Sequence, residues 1–165
     1  MDSIRIFGYK SFKKLSVQLH PINLLIGANG AGKSNFLSLF EMLGNIYEKR
    51  LGAYVAQVGG VDKLLYQGRK VTDRIAVNLL IAKSEYDLAL LESDGKLIVE
   101  REVVGCYDDV CPLDLVRKNV ITEFQSESSL KDHKEEDLSN YISQIRKFHF
   151  HDTGRRSPFT ADSHI

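Results

Sequence analysis

The chain has 165 residues, 43% of them apolar and 27% charged, and its 22 basic and 22 acidic side chains cancel. One domain with a real core is expected at this length. The balanced charge argues against a broad electrostatic footprint for nucleic acid or an anionic membrane. Two cysteines, Cys106 and Cys111, without a second cluster do not make a zinc site and read as ordinary reduced thiols. The opening "MDSIRIFGYK" has no apolar signal region, and the longest apolar run, "IAVNLLIA" at 75–82, is too short to span a bilayer. A cytoplasmic protein with no membrane partner is expected.

Taken in chain order, "SIRIFGY" at 3–9 and "LSVQL" at 15–19 read as strands joined by "KSFKK" at 10–14. "INLLIG" at 22–27 is continuously apolar, the pattern of a strand buried on both faces. From Lys33 to about Lys49 apolar residues recur at spacings of three and four, which predicts an amphipathic helix that Gly44 weakens without ending. "VGGVDKLLYQGRK" at 58–70 reads as a surface loop holding a short helical turn. Residues 74–104 contain three β-rich runs with a hairpin turn at "SDG", 93–95, and predict an antiparallel meander. The polar stretch 105–137 is the least core-like, above all "SESSLKDHKEED" at 126–137. Residues 137–148 read as a helix and "FHFHD" at 148–152 as a short strand.

The chemistry is carried by "GANGAGKSN", Gly27 to Asn35. It fits G-x-x-x-x-G-K-[ST], the P-loop, with an apolar strand expected before it and an amphipathic helix after it. The loop must wrap a phosphate with successive backbone N–H groups pointing inward, and side chains would block that approach, hence Gly27, Gly30 and Gly32. The helix N-terminus adds further N–H groups and partial positive charge. Lys33 brings a full charge to the outer phosphates, and the Ser34 hydroxyl is a hard oxygen ligand suited to Mg²⁺. The expected phosphate-contacting set is Gly30, Ala31, Gly32, Lys33, Ser34 and Asn35, with ATP and Mg²⁺ as ligands.

"IRIFGYKSF" followed by "INLLIGANGAGKSNFLSLFEML" resembles the N-terminal lobe of ABC-type ATPases of the SMC, RecF and OLD-nuclease group. It is most similar to stand-alone bacterial AAA-family ATPases, several of them linked to phage defence. Their "GG…LLY.GRK" segment matches Gly59-Gly60 through Lys70, and their "HFHDT" segment matches His149 to Thr153. The resemblance implies an α/β P-loop NTPase lobe with a mixed sheet, an antiparallel β subdomain and peripheral helices. It implies one incomplete ATPase domain over 1–165: a P-loop core (1–57), a loop and antiparallel block (58–104), and a helical, polar segment with a strand end (105–165). It places Lys10 and Asn29 near the nucleotide phosphates and offers Gln125, in "EFQSE", as a Mg²⁺ ligand of the Q-loop type. It also implies a homodimer with ATP sandwiched between two heads, and coupling to DNA, an effector nuclease or antiphage defence.

Hydrolysis needs an acid at the end of an apolar strand to hold Mg²⁺. "LALLESD" at 88–94 runs into a hairpin without an Asp-Glu pair, "YDDV" at 107–110 lacks the apolar strand, and no LSGG-like signature is present. No catalytic residue is therefore assigned. The chain is expected to be inactive or very weak alone, either as a fragment or with a second lobe supplied by another chain. A non-hydrolysing, nucleotide-switched interaction module is the alternative. The absence of N-K-x-D counts against a GTPase, and the antiparallel block counts against a small-molecule kinase. His149, His151 and Asp152 have same-face strand spacing suited to a metal, but a packed strand end is the favoured reading. "GRRSP" at 154–158 and "KDHKEED" at 131–137 read as solvated charge.

Overall fold

The computed structural model describes residues 2–106, 117–132 and 136–145. Six strands form one sheet: β1 (Asp2–Tyr9), β2 (Phe12–Leu19), β3 (Arg74–Ile81), β4 (Ser84–Ser93), β5 (Lys96–Cys106) and β6 (Arg117–Gln125), in the spatial order β2-β1-β3-β4-β5-β6. Three helices accompany it: α1 (Lys33–Tyr47), α2 (Leu51–Gln57) and α3 (Glu136–Ser143).

Alternation fixes which face of the sheet is buried. Ile4 pairs with Leu79, and Leu79 with Tyr86, so one row of apolar side chains crosses three strands on one face. Ile6, Val77 and Leu88 form the next row, and all are buried. The apolar stripe of α1 (Phe36, Leu39, Met42, Leu43, Ile46) joins the same core, together with Leu51 and Tyr54 of α2 and Leu138 and Ile142 of α3. The β4–β5 hairpin turns at Asp94 and Gly95, both at positive φ (51° and 78°), the geometry whose twist matches two flanking strands.

Several expectations are corrected. Every ladder among the described residues is antiparallel, so the mixed sheet is represented only by its antiparallel part. The run 22–27, expected as a strand buried on both faces, pairs with no strand among the described residues, and Ile22, Leu24 and Ile26 are 90%, 81% and 84% exposed. A run apolar on both faces needs covering layers on both sides, and the described residues leave most of this one uncovered, with Leu24, Leu25 and Ile26 lining a cavity beside Phe12, Leu15, Val17 and Phe36. The connection between β1 and β2 is only Lys10-Ser11, since pairing of Phe7 with Lys14 and Tyr9 with Phe12 draws 12–14 into the strand.

The part of the polar stretch that the structure describes at 117–132 is more structured than its composition predicts. It supplies edge strand β6 and a loop that buries Ser128 and Leu130. The cause is Glu102 on β5, fully buried, whose carboxylate accepts hydrogen bonds from the Tyr86 and Ser128 hydroxyls (Ser128 at 2.6 Å), from Thr122 Oγ1 at 2.7 Å and from the Ser129 N–H at 3.0 Å. Four donors satisfy a charge that has no cation beside it among these contacts. The following turn is clamped to the end of α1 by Lys131–Glu48 and Lys49–Asp132, and Glu127 accepts from the Leu51 N–H at the start of α2 (3.0 Å). Helix α3 is shorter than the predicted 137–148. The strand expected at 148–152, with His149, His151 and Asp152, and the "GRRSP" segment lie outside the described residues.

Candidate functional site: a phosphate-binding loop

The loop from Gly27 to Gly32 leads directly into α1. Two positions require glycine. Gly30 has φ +84° and Gly32, the residue that caps α1, has φ +94°, both in the region that L side chains rarely adopt. At Gly32 there is also a close approach: an added Cβ would stand 3.2 Å from the Phe12 ring and from Ser11 Oγ. The loop is closed by Ala31 N–H donating to the Ala28 carbonyl (3.2 Å), and the helix starts with Phe36 N–H donating to the Gly32 carbonyl (2.9 Å). Lys33 reaches back across the loop, its ammonium donating to the Gly27 and Ala28 carbonyls at 2.6 and 2.8 Å.

Helix α1 has no side-chain cap and no acidic residue in its first turn. The N–H groups at the start of a helix have no intrahelical acceptor, and its N-terminus favours an anion. A glycine loop at left-handed backbone angles, a lysine over that loop and an uncapped, acid-free helix start together fit a polyphosphate. The Ser34 hydroxyl is exposed in the first turn and has the oxygen chemistry that Mg²⁺ takes. Among the described residues no cluster of three or more His, Cys, Asp or Glu side chains could hold a metal, so a cation here would rest on Ser34, on the phosphates themselves and on water.

Of the residues expected to contact phosphate, Asn29 to Asn35 are contiguous in and just after this loop, and Lys10 is brought from the sheet to Ser38, in the second turn of α1. Asn35 Nδ2 donates to Ser11 Oγ at 3.0 Å, and the Lys10 ammonium donates to Ser38 Oγ at 2.8 Å, so the β1–β2 connection lies along the first turns of α1. Gln125 is not brought to the group. It ends β6 and lines a cavity with Lys49 and Glu127, beyond the C-terminal end of α1. Thirteen residues of helical rise separate Ser34 from Tyr47 at that end, about 20 Å, too far for a shared ion.

Sequence reasoning missed Ser38, which is buried between Tyr9, Lys10 and the carbonyl of Asn35. The signal was a hydroxyl four residues after Ser34, next to apolar Leu39, on a helix face expected to be apolar. The sequence also gave no role to Asp62 and Gln67, which line a cavity of about 570 Å3 with Lys10 and Asn35.

No helix among the described residues is long and apolar enough to cross a membrane. No curated protein and no solved structure matches the chain. A family model described as an AAA ATPase domain matches residues 1–153. That match covers the β1–β2 connection, the phosphate loop and the antiparallel block alike, and the chain belongs to the AAA ATPase domain family.

Proposed function

We propose that the chain is the nucleotide-binding lobe of an ABC-type ATPase related to the SMC, RecF and OLD group, and that it binds MgATP through residues 27–35. The observation that carries this reading is the loop itself: Gly30 and Gly32 at left-handed angles, Lys33 across the loop and an uncapped α1. In this reading the backbone N–H groups of 30–35 hold the phosphates, Lys33 neutralises the outer ones and Ser34 ligates Mg²⁺. The bare apolar run 22–27 supports a further element of the proposal: more strands lie along it and bring the acid that hydrolysis needs, from the same or another polypeptide. The complete protein then closes as a homodimer around two nucleotides and acts on DNA or through an effector nuclease, with antiphage defence as one setting.

The lack of a Walker B acid in the sequence favours a second reading, a nucleotide-switched interaction module that does not hydrolyse ATP. Sedimentation with MgATP, with phosphate release measured on the same sample, separates the two. ATP-dependent dimerisation with release supports the ATPase, and dimerisation without release supports the switch. Binding that GTP displaces as readily as ATP does would contradict both.

A further inference from the structure

The second face of the sheet carries a row of a different kind. Ladder pairing runs from Lys14 to Phe7, Ala76, Ala89 and Arg101, across β2, β1, β3, β4 and β5. Residues directly opposite in an antiparallel ladder share a face. This row alternates with Ile6, Val77 and Leu88, which are buried in the core with the stripe of α1, so it occupies the face turned away from that helix. The two alanines leave its middle low, and the Phe7 ring beside them is 45% exposed. The result is a cavity of about 660 Å3 in the sheet surface, lined by Phe7, Ala76 and Ala89 and by Arg5, Lys14 and Arg101.

The charges on this face are separated by position. Lys14 and Arg101 stand at the ends of the row, four strand spacings or roughly 19 Å apart. Both are exposed, and among the described residues neither side chain has a hydrogen bond or ion pair. Arg5 lies in the neighbouring row, where its Nε donates to Asn78 Oδ1 at 3.1 Å. The Asn78 amide in turn donates to Glu85 and Asp87 on β4. Acids on β4 thus lie between cations on β1 and β2 and a cation on β5. An apolar floor with one exposed ring and cations at its edges suits a flexible chain of planar groups joined by phosphates. The planar groups cover the alanines and stack on the ring, and the phosphates go to the cations. A duplex suits it poorly. Its bases are already paired and stacked, and its regular rows of phosphate would fall on the acids of β4 as well as on the cations.

We propose that this sheet face binds a segment of single-stranded nucleic acid, with a base stacked on Phe7 and backbone phosphates on Lys14 and Arg101. No residue of the loop 27–35 lines the cavity, so the proposal does not rest on the MgATP reading. The test is fluorescence anisotropy of a labelled, mixed-sequence single-stranded dodecamer without ATP, with the duplex of the same sequence and AMP as competitors. The single strand binds more tightly than the duplex, and AMP competes weakly. Phe7→Leu lowers the affinity roughly five- to 150-fold, the loss of one stacked base, and Phe7→Tyr keeps it. Lys14→Gln and Arg101→Gln each reduce the slope of log affinity against log salt by about 0.7. These two exposed positions carry the test should Phe7→Leu melt early. No binding by wild type at low salt, a duplex that binds as well as the single strand, or AMP that competes as well as the dodecamer overturns the proposal. So does an unchanged affinity in folded Phe7→Leu. Lys33→Ala keeps the strand affinity, whereas a loss there would place the strand on the phosphate loop and overturn the proposal. MgATP calorimetry on Phe7→Leu is expected to match wild type, so failure of either reading leaves the other standing.

Discussion

Three glycines of the loop before α1 can be told apart by what an alanine would meet. Gly27 lies outside the left-handed region, and its added Cβ would touch only the Ala31 methyl at 3.2 Å. Gly30 has φ +84° and open space around it, so Gly30→Ala carries the backbone penalty alone, about 1–2 kcal/mol. Gly32 has φ +94° and in addition brings a Cβ to 3.2 Å from the Phe12 ring and Ser11 Oγ, which raises the expected strain to about 2–3 kcal/mol. If the loop relaxes to relieve that strain, the lost N–H geometry appears as weaker phosphate binding. The expected order of loss in MgATP affinity is Gly32→Ala, roughly 30- to 150-fold, then Gly30→Ala, roughly five- to thirtyfold, then Gly27→Ala, near unity. Titration calorimetry reads the affinities, and thermal melting of the same samples shows strain retained in the folded loop. A Gly32→Ala variant that binds and melts like wild type, or a Gly27→Ala variant worse than both others, would refute the reasoning.

Two other predictions concern the scaffold. Glu102→Ala leaves the buried Tyr86 hydroxyl and the Ser129 N–H short of an acceptor and should destabilise by about 2–4 kcal/mol, or about 5–15 °C in melting temperature; Glu102→Gln keeps one acceptor oxygen and should lose less, and equal stability of all three chains would contradict the network. Burial raises the ionisation of Tyr9 and Tyr86 well above the usual tyrosine range, reinforced at Tyr86 by the Glu102 carboxylate. Their folded-state values are raised, so their contribution is complete below about pH 10, the unfolded value, and is lost as pH climbs above it. Urea titrations should therefore show stability falling above about pH 10 by up to ~1.4 kcal/mol per pH unit for each of these tyrosines, with their tyrosinate absorbance appearing only on unfolding. Tyrosinate from both groups in the native chain at that pH would contradict their burial.

Much of this could be read from residue order because local rules and tertiary structure agree. The spacing in "GANGAGKS" states a backbone requirement, and Gly30 and Gly32 meet it. The three-and-four spacing from Phe36 to Ile46 becomes the buried stripe of α1, and alternation in β3 and β4 becomes the buried sheet face. The failures arise where distant groups decide. Strand β6 reads as polar and charged, but it is held by its ladder with β5 and by Thr122 bonding to Glu102. Ser128 is buried because a carboxylate 26 residues earlier collects its hydroxyl. Gln125 has the right residue type, but β6 carries it to the wrong end of α1. The run 22–27 has the pattern of a doubly covered strand, and periodicity cannot say which residues cover it.

The central claim is that the loop from Gly27 to Asn35 binds the phosphates of ATP. Its most direct measurement is calorimetry of MgATP with the wild-type chain and with Lys33→Ala, with the melting temperature confirming that both are folded. Lys33 is partly exposed and bonds only to loop carbonyls, so its removal should leave the fold intact. The account predicts saturable, one-to-one binding by wild type and none measurable for Lys33→Ala. Unchanged affinity in a folded Lys33→Ala chain would contradict it.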